Sequence, residues 1–182
     1  MTAHATIFTV LLDVNHMVDA LKGRPVPQSV EELLFVDSAV AAVAATDKAA
    51  LLGSEHCLDL LEHVLQRELC YSEDQAALVA DLYYAVTEQS GGSWITAEQG
   101  RAAAETLNLP ALFLGDNKGQ IDFEDLQVLG AALHQAQSGP VAIVTRDGGL
   151  HNIGHAMAEQ RVQIVHAHTA RVALQAIRNQ RR

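Results

Sequence analysis

Two short apolar runs constrain this chain more than any other feature. ATIFTVLLD near the start and PVAIVTRD near the end each run through β-branched and aliphatic residues and stop on an aspartate, Asp13 and Asp147. Apolar runs of this length read as strands, and near-continuous apolar character is expected of strands covered on both faces of a parallel sheet. The intervening segments alternate between helical and strand patterns, which predicts an α/β architecture. In such sheets the functional crevice lies outside the carboxyl ends of the strands. Asp13 and Asp147 are therefore expected at the same edge.

The remaining elements follow from caps and breakers. NHMVDALKG is a short helix stopped by Gly23, and RPVPQ is a loop. Ser29, with Glu32 three residues on, opens one helix through SVEELLFVDSAVAAVAA. DKAALLG is a second strand. Ser54 caps SEHCLDLLEHVLQREL, where Leu58, Leu61 and Leu65 recur at helical spacing. Ser72 opens SEDQAALVADLYYAVTEQS, ended by Gly91 and Gly92, and Thr96 with Gln99 opens TAEQGRAAAETLN, stopped by Pro110. LPALFLGDNKG is a loop with room for a short strand, and Asp122 caps DFEDLQVLGAALHQAQ ahead of Gly139 and Pro140. After the VAIVT strand come a helix, GGLHNIGHAMAEQ, a strand, VQIVHA, and a closing helix, HTARVALQAIRNQ. Residues 66–110 read as all helix, an insertion into the α/β frame. The 182 residues are too few for two ordinary domains, so one domain is expected, with a central parallel sheet flanked by helices in three layers.

Composition narrows the function classes. No apolar stretch approaches the roughly 18–20 residues of a membrane span, so no membrane partner is expected. MTAHATIFTVLLD has no Lys or Arg ahead of its apolar run and places its first acid where a secretory leader would be cleaved. Cys57 and Cys70 are too few for a disulfide or zinc framework, and a cytoplasmic setting is the simple expectation. A net charge of −10 argues against broad electrostatic capture of nucleic acid. It leaves room for a local site where a divalent ion reverses the sign.

Acids at the ends of apolar strands are costly unless paired or bound to a cation. Asp125, on the first turn of the helix leading into the Asp147 strand, can point to the same edge as Asp13 and Asp147. An all-carboxylate set suits Mg²⁺ or Mn²⁺ better than zinc. Such a centre can bind a phosphodiester oxygen and activate water. The competing role for each aspartate is to cap the helix that follows it, and Asp122 fits that role best. Asn15 and Thr145 are expected to orient the carboxylates or touch a phosphate, with local turn hydrogen bonds as the alternative. Arg146 and Arg24 are phosphate contacts or simple surface charge. His151 and His155 stand four apart on one helix, but HNIGH lacks the internal Glu of a metalloprotease motif. His166 and His168 are expected to face solvent, and Tyr83 and Tyr84 to pack.

These residues resemble a family. LLDVN, with Asp13, Val14 and Asn15, looks like the opening strand of PIN-domain nucleases. DLQVLGAAL, from Asp125, is similar to that family's helix of the form Asp-Ala-x-Ile-x-Ala-x-Ala. IVTRDGGL, with Thr145 and Asp147, resembles its last catalytic strand. The resemblance implies a PIN-like, Rossmann-like fold and a Mg²⁺- or Mn²⁺-dependent endoribonuclease centred on Asp13, Asp125 and Asp147. By association it implies the toxin of a VapC-like toxin–antitoxin pair, with RNA as substrate, an antitoxin protein as partner and a homodimer. One position departs. The family's Glu, about six residues into the helix after the second strand, falls on Leu60 when counted from Ser54. Asp59 is adjacent and Glu62 two further on, and a shift of one residue turns a side chain by about 100°. Asp59 is taken over Glu62 as the fourth catalytic acid. The missing Glu supports a rival reading, a catalytically weak PIN-like module acting through a partner. An α/β phosphohydrolase with Asp13 as nucleophile would want a second Asp where Asn15 stands.

Overall fold

A computed structural model describes residues 8–166. The elements run β1 (Phe8–Leu12), α1 (Val14–Leu21), α2 (Val30–Val36), α3 (Ser38–Ala44), β2 (Ala49–Ser54), α4 (Glu55–Leu69), α5 (Glu73–Gln89), β3 (Trp94–Ile95), α6 (Ala97–Ala104), α7 (Phe123–Ala136), β4 (Val141–Val144), α8 (Gly148–Asn152), α9 (Gly154–Glu159) and β5 (Val162–Val165). The first residues of the expected opening strand, the expected closing helix, His168 and the basic tail lie outside the described residues.

The five strands form one parallel sheet in the order β3-β2-β1-β4-β5. All residues of β2 and β4 are buried, so both faces of the sheet centre are covered. This is the expected three-layer, Rossmann-like α/β arrangement. From β1 the chain builds outward through β2 and β3, then returns to place β4 on the other side of β1. That reversal opens a crevice between the carboxyl ends of β1 and β4. Asp13 follows β1, and Thr145 and Asp147 follow β4. Because α7 runs back into β4, its first turn, with Asp125, starts at the same edge.

Packing fixes that turn. The α7 helix lies against β4, β5 and, most extensively, α6. Gly130 lets α6 and α7 cross closely, since a Cβ there would run into the Gly100 carbonyl oxygen. We expect Gly130→Ala to cost about 1–3 kcal/mol in urea denaturation, because neither backbone can yield. An unchanged midpoint would contradict so tight a crossing.

Three expectations are corrected. The single helix through SVEELLFVDSAVAAVAA is two, broken at Asp37, whose backbone is extended (φ −102°, ψ 100°). Its carboxylate accepts the Ala39 and Val40 N–H groups at 2.9 and 3.2 Å, restarting the helix as α3. The segment 66–110 is not all helix, because Trp94–Ile95 pair with Gly53–Ser54 and add an edge strand to the sheet. GGLHNIGHAMAEQ is two short helices with the break at buried Ile153. In LPALFLGDNKG the chain makes a 3₁₀ turn at Ala111–Phe113 and an isolated bridge between Leu114 and Ile121. Among the described residues no helix is long and apolar enough to cross a membrane.

Candidate functional site

The site is built on the ends of β1 and β4. The Asp13 N–H bonds to the Val144 carbonyl at 3.0 Å, which locks the backbone of Asp13 to the end of β4. Asp13 stands at the N-cap of α1, yet its side chain makes no capping bond. It turns to Thr145 instead, whose hydroxyl donates to Asp13 Oδ2 at 2.6 Å. The same hydroxyl oxygen accepts the Asp147 N–H at 2.9 Å. Thr145, fully buried, thus ties the two strand ends together. The contact with the Asp13 carboxylate and the local turn bond named as its alternative are both made by this one hydroxyl.

Asp147 does cap α8: its Oδ1 accepts the Gly149 and Leu150 N–H groups at 2.7 and 3.0 Å. Capping and site membership coexist, because one carboxylate has two oxygens. Asp122 and Asp125 form a reciprocal capping box. Asp122 Oδ1 accepts the Asp125 N–H at 2.9 Å, and Asp125 Oδ2 accepts the Asp122 N–H at 3.2 Å.

The charges of these acids are felt at one another's positions along this edge. Asp13 is only 4% exposed, and burial pushes its carboxyl up from the usual aspartate range. Thr145, the Val14 amide and Asn15 pull it down, and the charge of Asp147 adds to the upward push. Asn15, two residues on, is exposed on the first turn of α1. Burial is also the main reason that Asp125 is raised to about 7; the Asp122 amide opposes it, and the charges of Asp147, Asp122 and Asp13 reinforce it. Two carboxyls held toward the neutral form by burial and by the charge of Asp147 are what a divalent cation would relieve.

The donors fit a hard cation in kind, being all oxygen. Among the described residues, however, no three His, Cys, Asp or Glu side chains already stand together as a ligand shell. Each of the three acids has one oxygen fixed by a protein donor, so closing a shell would use the others.

The Asp125 shift predicts a pH dependence. The unfolded group ionises near its ordinary value of 3.8 and the folded one near 7. The folded state therefore holds the extra proton between those values, and this contribution to stability is full below about pH 4 and lost as pH rises through 7. Metal-free protein is expected to melt at lower temperature at pH 8 than at pH 5. Asp125→Asn should flatten that slope by about 1–2 kcal/mol, discounted for the solvent that reaches the half-buried carboxyl. Calorimetric melts of both proteins across this range are the check. A slope identical in the variant would refute the assignment.

Neither Asp59 nor Glu62 is among the charges that act on Asp13 or Asp125. Asp59 is exposed on α4, and its charge acts on His56, as does that of Glu124. Leu60, at the position of the expected Glu, is half-buried. What α4 presents to Asp13 is Cys57, a buried thiol raised by burial to about 12 and therefore neutral.

Two depressions meet at Asp147. One, of about 590 Å³, is lined by the Gly115–Gln120 loop, Asp122, Asp125, Asp147 and Asn152. The other, of about 450 Å³, is lined by Asn15, Asp19, Glu68, Arg146 and Asp147, and Arg146 is ion-paired with Asp19 there. A larger hollow of about 680 Å³ lies by Ala44–Asp47, ahead of β2 and hence at the amino end of the sheet, remote from the three acids. The parallel-sheet rule and the acids both select the carboxyl end.

His151 is engaged away from the three acids, and the break at Ile153 puts His155 on a different helix from it. His151 Nε2 lies 3.2 Å from the Thr145 carbonyl oxygen, and its ring stacks on His166 at 4.0 Å between centroids. His166 is exposed, as expected, but not isolated. Arg24 is exposed surface charge. Tyr84 packs edge-on against Trp94, and Tyr83 is buried in a polar network unforeseen from the sequence, donating to Asp37 Oδ2 at 2.8 Å. Neither a protein-family model nor any curated protein matches this sequence.

Proposed function

We propose that this protein is a Mg²⁺- or Mn²⁺-dependent endoribonuclease of the PIN-like kind, cleaving RNA phosphodiester bonds at the β1–β4 crevice. The observation that carries the reading is the placement of Asp13, Asp125 and Asp147 along the switch-point edge of the sheet, with Asp13 and Asp125 raised by burial and by the charge of Asp147. These three would hold the metal, which when bound supplies Lewis acidity toward a phosphoryl oxygen and a more acidic water. The chain's own residues supply geometry. Thr145 fixes Asp13 against Asp147, the Asp122 box holds the Asp125 carboxyl on the first turn of α7, and Asn15 would face an incoming phosphate from the first turn of α1. The role expected of Asp59 draws no support from its position on α4.

The test is cleavage of labelled single-stranded RNA by purified protein with Mn²⁺, abolished by EDTA and restored by added metal. No cleavage with either metal would sink the proposal. One observation favours a second reading: an apolar Leu60 stands where a fourth acid is wanted, which suits a weak or inactive module acting through a partner. Calorimetric titration separates the two, since Mn²⁺ binding with substantial heat supports the nuclease and its absence supports the module.

A further inference from the structure

Resting on that nuclease reading, we propose that the depression between the Gly115–Gln120 loop and Asn152 is a nucleotide subsite. It receives the nucleotide on one side of the bond cleaved at Asp125 and Asp147, with Lys118 meeting its phosphate. Its volume of about 590 Å³ falls within the usual range of small-ligand sites, and it opens directly onto Asp125 and Asp147.

The loop is built rather than slack. Gly115 N–H bonds to the Ile121 carbonyl at 3.0 Å, and Gln120 N–H to the Asn117 carbonyl at 2.9 Å. Gln120 Oε1 accepts from the Asn117 side-chain amide at 2.9 Å, while Gln120 Nε2 reaches the Leu112 carbonyl at 3.0 Å. Asn152 Nδ2 donates to the Gly119 carbonyl at 2.8 Å and clasps the loop to α8. Gly119 sits at φ +84°, a left-handed turn that suits glycine. Gly149 packs so closely on the Gln120 carbonyl that a Cβ there would collide with it. A wall fixed in this way loses little entropy when a ligand arrives.

A cation outside any ion pair, rather than net charge, distinguishes the loop side of Asp147, whose lining also carries four aspartates. In the other depression Arg146 is already held by Asp19. Among the described residues Lys118 makes no ion pair, and it is the one cation lining the loop side. Besides Asp125 and Asp147, the lining carries the carboxylates of Asp116 and Asp122 and the amides of Asn117 and Asn152, with Gln120 spent within the loop and no aromatic ring. Amides read a base at its hydrogen-bonding edge, whereas rings stack on any base alike. The subsite therefore predicts base preference.

The experiment is steady-state cleavage of labelled hexaribonucleotides of A, C, G or U with Mn²⁺. Lys118→Ala should raise KM about 10-fold for the preferred hexamer with kcat nearly unchanged, the loss expected of one charge-assisted phosphate contact. Asn152→Ala should narrow the differences among the four hexamers. Lys22→Ala, at the far end of α1, should match wild type and exclude a general charge effect. Wild-type KM and wild-type preference in the Lys118 and Asn152 variants would overturn the subsite while leaving the nuclease standing. A wild-type protein that cleaves none of the four overturns the nuclease reading and the subsite together.

Discussion

Asp13→Asn is expected to lower Mn²⁺-dependent RNA cleavage by about 10³-fold, the scale of losing a charge that positions and polarises a reacting phosphate. The same substitution is expected to raise the melting temperature of the metal-free protein. The asparagine carbonyl can still accept the Thr145 hydroxyl, so the link from β1 to β4 survives. What disappears is a buried carboxyl pushed up by desolvation and by the charge of Asp147. Relief of that burden is worth about 1 kcal/mol, or about 2–4 °C in a domain of this size. Single-turnover rates and calorimetry in EDTA measure the two effects. Wild-type activity in the variant would remove Asp13 from the active site. A lowered melting temperature would show that its carboxylate stabilises the fold.

Asp37→Ala should have the largest effect on stability, a loss of about 3–5 kcal/mol in urea denaturation at pH 7. Asp37 is 0% exposed and has four donors. Its Oδ1 meets the Ala39 and Val40 N–H groups and lies 3.1 Å from His16 Nε2, while Oδ2 takes the Tyr83 hydroxyl. Alanine leaves all four buried without this acceptor. Burial raises the Asp37 carboxyl, but the hydrogen bond and charge of His16, with help from Tyr83 and the Val40 amide, hold it below the usual aspartate value. For a depressed group the contribution is present above the unfolded value near 4 and lost as pH falls through the folded one. The variant's deficit should therefore persist across neutral pH and shrink only in acid. A loss under about 1 kcal/mol would mean that water or rearrangement satisfies the stranded donors. The network also reaches the site, because His16 lies on the first turn of α1 and its N–H bonds to the Asp13 carbonyl at 3.0 Å.

Asp37 also marks where reading along the chain stops working. In SVEELLFVDSAVAAVAA the apolar spacing continues across it, so one helix is expected. The break comes from His16 and Tyr83, 21 and 46 residues away, which reward an extended backbone at Asp37. Edge strand β3 is hidden for a similar reason. Two residues have no periodicity, and Trp94–Ile95 become a strand only because α5 returns the chain beside β2. The contacts of the Gly115–Gln120 loop with α8 likewise join residues about 30 apart along the chain.

The strand-end aspartates were legible because strand direction is a local property. FTVLL and VAIV are parallel strands, and the acid after each must emerge at the carboxyl edge. The caps at Ser54, Ser72, Thr96 and Asp122 were legible for the same reason, since a cap bonds to an amide within three residues. Helix phase was not legible to within one residue, and it leaves Asp59 on the exposed side of α4 with an apolar Leu60 beside it. Nor was the bond from Thr145 to Asp13 across 132 positions, or the rise of Asp125 to about 7. Hydrogen bonds between neighbours along the chain follow from residue order. Burial, and the repulsion of acids distant along the chain, exist only once β4 has been laid against β1.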